Sequence, residues 1–190
     1  MIRYFDMDLY QEADAVLKDS SIEAILRQFG DVSIGGSYAY RTMVDRDIDF
    51  DVVLSQSVGL SIGLRSRITG TLAGIASLRS LQMSDLHHFP EGAKHATDGI
   101  WFGLTLISRV SAERWNIDIW FVTPGSATEQ DKDLTMRLHK LSDHERATIV
   151  ALKQAALDSN MKKKGVTSVK IYDAVLRKGV ETYEEFLDTL

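Results

Sequence analysis

The sequence predicts an α+β fold, with a mixed β-sheet core flanked by helices and an all-helical C-terminal part. Three observations predict it. Residues 32–34, 47–54, 99–108 and 115–122 alternate in polarity or run apolar, as strands do. The stretches before and between them carry apolar residues at helical spacing. Beyond residue 125 only helical patterns remain. The expected division is an α/β core over residues 1–125 and a helical region over 126–190.

Taken in order, Leu9, Ala13, Val16, Leu17, Ile22, Ile25, Leu26 and Phe29 have helical spacing, with a break near Asp19-Ser20-Ser21. Gly30 ends that pattern, and Val32 to Ile34 form a short first strand. Residues 37–43 are expected to form a short helix, residues 47–54 a strand and residues 56–60 a loop. Residues 61–83 read as one longer helix through Ile62, Leu64, Ile68, Leu72, Ile75, Leu78 and Leu81, although Gly70 and Gly74 weaken it. Residues 84–98 are polar and irregular. Residues 99–108 and 115–122 are expected to pair as an antiparallel hairpin connected by Arg109 to Arg114, and Thr123-Pro124-Gly125 closes its second strand. Ser126 to Glu129 and Ser142 to Glu145 have capping-box spacing, opening helices to about residues 140 and 160. Residues 167–176 form another helix, and Thr182 caps the last.

The bulk properties exclude several classes. The chain of 190 residues can bury a real core. It has no cysteine, hence no disulfide frame, thiolate zinc site or cysteine nucleophile, which fits a reducing, cytoplasmic setting. Met1-Ile2-Arg3-Tyr4-Phe5-Asp6 lacks the basic region and apolar run of a signal peptide. No apolar run is long enough to span a bilayer, so no membrane partner is expected. A net charge of −5 argues against a large nucleic-acid footprint and leaves room for a local basic patch.

The chemistry concentrates between Gly35 and Leu54. Gly35-Gly36-Ser37 follows the first strand, and backbone lacking Cβ atoms at two successive positions can approach a ligand closely. The free N–H groups of a helix start beyond it favour an anion. In Asp47-Ile48-Asp49-Phe50-Asp51-Val52-Val53-Leu54, period two puts Asp47, Asp49 and Asp51 on one strand face. Three carboxylates on one face repel unless water or a cation answers their charge. Hard oxygen ligands suit magnesium, which bridges carboxylates and substrate phosphates. A phosphate cradle followed by a magnesium-type cluster reads as a phosphoryl-transfer site. The plainer alternative is a glycine turn before an edge strand with a solvated acidic face.

Asp118 stands alone between Ile117 and Ile119 in a later strand, where it is unfavourable without a partner. It is either a satisfied structural or edge residue, or a further metal-site carboxylate or general base. His87, His88 and His95 allow a zinc reading, but without recognised ligand spacing they read better as a surface loop. Lys162-Lys163-Lys164 read as a helix C-terminal turn favoured by the dipole, or as a contact for triphosphate or nucleic acid.

Gly35-Gly36-Ser37, then Asp49-Phe50-Asp51, then Asp118 resemble the nucleotidyltransferase superfamily that includes DNA polymerase β. Gly36-Ser37-Tyr38-Ala39 is similar to its minimal members, and Asp49-Phe50-Asp51-Val52-Val53 to the cGAS kind of cyclic nucleotide synthases. Arg46-Asp47-Ile48-Asp49 is similar to the lincosamide and aminoglycoside adenylyltransferases. The resemblance covers about residues 30–122 and leaves two frames open for the acidic pair, Asp47 with Asp49 or Asp49 with Asp51. It implies a metal-dependent enzyme that moves a nucleoside monophosphate from a nucleoside triphosphate, such as ATP, to a hydroxyl, releasing pyrophosphate. Gly35, Gly36 and Ser37 would bind the nucleotide, and Asp49 and Asp51, with Asp47, would hold two magnesium ions (Mg2+). Asp118 would share one ion or take the acceptor's proton. The acceptor could be a small molecule such as an antibiotic, a protein side chain or an RNA end. The alternative is an inactive nucleotide-binding or partner-binding module of the same fold. A third reading is an unrelated α+β structural protein.

Overall fold

The computed structural model describes residues 8–55, 60–88, 99–124, 132–161 and 165–190. The expected capping box at Ser126 to Glu129, the lysines 162–164 and His95 lie outside the described residues. The elements are α1 (Leu9–Ser20), α2 (Ile22–Leu26), β1 (Gly30–Gly35), α3 (Gly36–Ala39), β2 (Asp47–Leu54), α4 (Ile62–Ala73), β3 (Leu78–Asp85), β4 (Gly99–Ile107) and β5 (Arg114–Val122). They continue with α5 (Lys132–Leu138), α6 (Asp143–Asp158), α7 (Ser168–Lys178) and α8 (Tyr183–Asp188). The chain forms two compact units, Met1–Tyr38 with Asp45–Glu129, and Ala39–Val44 with Gln130–Leu190.

In the first unit a five-stranded sheet runs in the order β1-β2-β5-β4-β3. β2 and β5 are parallel and the other neighbours antiparallel, so the sheet is mixed, as expected. Strand alternation sorts its two faces. Ile48, Phe50 and Val52 of β2, Ile100, Phe102 and Leu104 of β4, and Ile117, Ile119 and Phe121 of β5 are buried on one face. Phe121 meets Phe29 and Phe102 edge-on at centroid distances of 5.9 and 5.6 Å. Ile22 and Leu26 of α2 and Ile68 and Leu72 of α4 are also fully buried. Each such side chain contributes about 1.5–3 kcal/mol on leaving water.

Asp8 caps α1 by accepting from the N–H groups of Tyr10 and Gln11. The expected break follows α1, where Ser21 adopts a left-handed conformation with φ 52°. The expected helix over residues 37–43 is shorter, because α3 ends at Ala39 and Arg41 has φ 58°.

The main correction concerns residues 61–83. Helix α4 ends at Ala73, and Leu78–Asp85 form β3, an edge strand. Leu78 and Leu81 lie three apart, which imitates a helix. A bulge between Leu78 and Ser80 produces that spacing within a strand. Being at the edge with one polar face, β3 carries Ser80, Gln82 and Ser84 where a central strand would be more apolar.

Glu12 ties the start of this unit together. Only 4% exposed, it accepts from Trp115 Nε1 at 2.8 Å, from Arg46 Nε at 3.2 Å and Nη2 at 3.1 Å, and from the Ser111 hydroxyl. Arg46 directly precedes β2, and its carbonyl accepts from the N–H of Asn116 at 2.9 Å. One carboxylate of α1 thereby fixes where β2 and β5 begin. Burial raises the Glu12 pKa, but the donors outweigh it and the net shift is downward.

In the second unit, Leu138, Ile149, Leu152, Ile171, Tyr172, Val175 and Phe186 form the helical core. Capping boxes at Ser142 with Glu145 and Thr182 with Glu185 open α6 and α8, as expected. The segment 39–44 belongs to this unit through polar ties. Arg146 donates to the Tyr40 carbonyl, and the buried Lys153 Nζ donates to the Thr42 carbonyl at 2.9 Å. The Thr42 hydroxyl lies 3.1 Å from that of Tyr172. Among the described residues no helix is long and apolar enough to cross a membrane.

Replacing Glu12 by Ala orphans the Trp115 and Arg46 donors. It is expected to cost about 3 kcal/mol in denaturant unfolding at neutral pH. Because the folded pKa of Glu12 is depressed, its stabilisation holds above the unfolded pKa and is lost as pH falls through the folded value. The gap between wild type and Glu12→Ala should therefore narrow in acid.

Candidate active site

The face of the sheet opposite the apolar core carries polar residues on all five strands, beside Trp101 and Trp120. On it lie Ser33 of β1, Asp47, Asp49 and Asp51 of β2, Asn116 and Asp118 of β5, Gly103 and Thr105 of β4, and Ser80 and Gln82 of β3. The parallel register pairs Asp49 with Asp118, Asp47 with Asn116 and Asp51 with Trp120. Paired residues point to the same side, so Asp49, Asp51 and Asp118 share one patch, with neighbouring strands about 4.8 Å apart. Asp47 stands two residues before Asp49, at the β2 entry that Glu12 fixes through Arg46. β5 is the central strand, so Asp118 does not occupy an edge.

The glycine turn meets the same patch. Gly35 pairs with Asp49 across β1 and β2. Gly36 has φ +60°, and a Cβ there would fall 1.8 Å from Asp49 Oδ2. The turn can pass over the carboxylate only with hydrogen at that position. Ser37 follows in α3 and is buried, with 9% exposure.

Electrostatically, two of these carboxyls are held at a disadvantage. Burial raises the pKa of Asp51, with no compensating donor among the causes of its shift. Burial also raises that of Asp118, partly opposed by a hydrogen bond from the Trp101 side chain. Such groups gain from a cation that restores their charged form.

Among the described residues, no group of three or more His, Asp or Glu side chains is drawn together tightly enough to cage a metal. Magnesium does not demand such a cage. It is commonly held by one or two carboxylates, completing its shell with water and substrate phosphates. The donor chemistry of Asp49, Asp51 and Asp118 fits that mode.

Beside the patch is an open cleft of about 230 Å³. It is lined by Asp47 and Asp118, by Asn116 and Thr105, and by Gln82 and Trp101. The indole of Trp101 lies over Gly103, where a Cβ would come within 2.5 Å of the ring. Sequence reading missed Trp101, Gly103 and Gln82. Trp101-Phe102-Gly103 reads as ordinary strand, although a glycine in a strand marks a place where another group can approach the backbone closely.

The histidines resolve differently. His88 donates its backbone N–H to Asp85 at 3.0 Å, and its ring Nδ1 lies 3.0 Å from the same carboxylate. Asp85 also accepts from Arg65 at 2.6 Å. This ion pair ties α4 to the end of β3.

Two substitutions probe this geometry. Gly36→Ala should cost about 2 kcal/mol, from strained backbone and collision with Asp49, in denaturant unfolding. Asp51→Asn should raise the Tm of metal-free protein at neutral pH by a few degrees. A raised folded pKa means that the charged Asp51 is disfavoured. The native state is therefore relatively more stable below the unfolded pKa, and loses that advantage as pH rises through the folded value. The Asp51→Asn gain should accordingly vanish in acid.

No protein-family model and no curated protein matches the sequence. Solved structures do. A mutant of the Cid1 poly(U) polymerase bound to MgATP aligns with TM-score 0.54 and 15% identity, over 78% of this chain and 42% of that one. The GLD-2/RNP-8 complex aligns with TM-score 0.53 and 12% identity, over 88% of this chain and 57% of that one. The chain thus spans roughly two fifths and under three fifths of these two structures. At such identities the likeness concerns the fold, and the sheet with its flanking helices has the nucleotidyltransferase fold.

Proposed function

We propose that the protein is a metal-dependent nucleotidyltransferase that moves a nucleoside monophosphate from a nucleoside triphosphate to a hydroxyl. The observation that carries this reading is the pairing of Asp49 with Asp118 in the parallel β2–β5 register, beneath a turn whose Gly36 has no room for a side chain. The fold shared with nucleotide-handling structures supports it.

In this reading, the backbone of Gly35 and Gly36 and the Ser37 hydroxyl hold the β- and γ-phosphates. Asp49 and Asp51, with Asp47, would hold magnesium, and Asp118 would contribute to the same site. Magnesium held there would supply charge neutralisation at the phosphates and a lowered pKa at the acceptor hydroxyl. The acceptor oxygen attacks the α-phosphorus, the bond to the bridging oxygen breaks, and pyrophosphate leaves with the electron pair. Asp118 takes the hydroxyl proton. Positioning and charge neutralisation supply most of the rate. The alternative of a binding module without turnover explains less, because a binder gains nothing from retaining partly buried carboxylates whose charged form is disfavoured.

Magnesium with a nucleoside triphosphate should raise Tm, and Asp49→Asn should abolish the metal's part of that shift. No shift with any of the four common triphosphates would count against the reading. Where turnover to pyrophosphate is found, Asp118→Asn should lower kcat by about 10²–10³-fold with the fold intact by circular dichroism.

A further inference from the structure

We infer that the cleft beside Asp118 is the acceptor subsite, and that it takes a small, uncharged, hydroxyl-rich ring such as a sugar or cyclitol, lying on the indole of Trp101. The inference rests on the nucleotidyltransferase reading and goes further by naming the acceptor's chemical class.

Apart from Asp47 and Asp118, the hydrogen-bonding side chains that line the cleft are neutral: Ser80, Gln82, Thr105 and Asn116. Hydroxyl and amide groups that both donate and accept are what a ring of hydroxyls requires. No lysine or arginine among the described residues lines the cleft. An RNA end would bring phosphates to a surface that already carries two carboxylates, against the basic footprint such a partner needs. The volume, about 230 Å³, is below that of sites for drug-sized ligands and suits a single ring.

Trp101 gives the subsite its shape. The benzo edge of the indole reaches over Gly103, and a side chain there would collide with it. The side chain is partly exposed, leaving aromatic surface for the apolar C–H face of a ring. Its ring atoms and Asp118 Oδ1 both approach the Cβ position of Gly103, so the indole that would carry the ring stands beside the carboxylate that meets the acceptor hydroxyl. Trp101 is therefore a positioning residue toward Asp118 and a contact residue toward the acceptor. In the transfer, the ring's hydroxyl oxygen bonds to the α-phosphorus of the triphosphate. Its proton passes to Asp118, and pyrophosphate departs with the electrons of the broken P–O bond.

The test has two arms on the full chain. In the first, calorimetry without nucleotide or metal titrates glucose, ribose, their methyl glycosides and myo-inositol. At least one should bind saturably. Trp101→Ala and Gly103→Ala should each weaken that binding about tenfold or more while circular dichroism stays native. Trp101→Phe should retain it, because the ring remains. In the second arm, α-labelled triphosphates and magnesium are supplied with the same compounds or with a short oligoribonucleotide bearing a free 3′-hydroxyl. Label should pass to the neutral ring compound. Trp101→Phe should keep the acceptor KM and lose kcat, a split that damaged folding would not produce. The inference is overturned if none of the compounds binds, if Trp101→Ala binds as the wild type does, or if label passes to the oligoribonucleotide alone. Saturable binding that depends on Trp101, without transfer from any triphosphate, would instead remove the nucleotidyltransferase reading and leave the cleft's ligand class supported.

Discussion

Parallel pairing of β2 with β5 sets Asp49 directly beside Asp118, and nearly every other feature of the first unit either enforces that pairing or depends on it. The arrangement opposes folding. It gathers acidic side chains on one face and withdraws Asp51 and Asp118 from water. The apolar opposite face offsets this, because each residue of β2 and β5 that alternates with an acid is a fully buried Ile, Phe or Val. A one-residue slip would expose that whole set and bury the acids, so the hydrophobic pattern fixes the position of the carboxylates.

The Glu12 network performs a related task at the strand entries. Its carboxylate gathers Arg46, Ser111 and Trp115, from the approach to β2, the β4–β5 turn and the start of β5. This is a buried charge with its donors satisfied, the reverse of Asp51. One unit thus holds two acids of opposite character. One carboxylate is held charged by its donors to fix strand ends, and the other is left short of compensating donors. Buried carboxylates lacking compensation cluster at functional sites more often than elsewhere.

Much of this was legible in the sequence because it is local. The alternation from Asp47 to Leu54 gave the strand and its acidic face, and the break at Ser21 and the capping boxes at Ser142 and Thr182 follow from side chains a few residues apart. The resemblance to nucleotidyltransferases, carried by Gly36-Ser37, Asp49-Phe50-Asp51 and Asp118, agrees with the fold observed. What escaped is either disguised or distant. β3 imitates a helix because a bulge sets two leucines three apart. Glu12 meets partners 99 and 103 positions away, and no local pattern announces that. The place of Trp101 over Gly103 is a strand-face relation that becomes significant only once Asp118 is known to be the register partner of that glycine.

In the proposed mechanism Asp49 and Asp118 act on one ion. A double-mutant cycle on manganese affinity, read by electron paramagnetic resonance with a nucleoside triphosphate present, tests it most directly. Asp49→Asn, Asp118→Asn and the double variant should give strongly non-additive losses, because removing either carboxylate dismantles the site that the other serves. Additive losses, or an affinity unchanged in both single variants, would show that the two strands do not share a metal and would contradict the account.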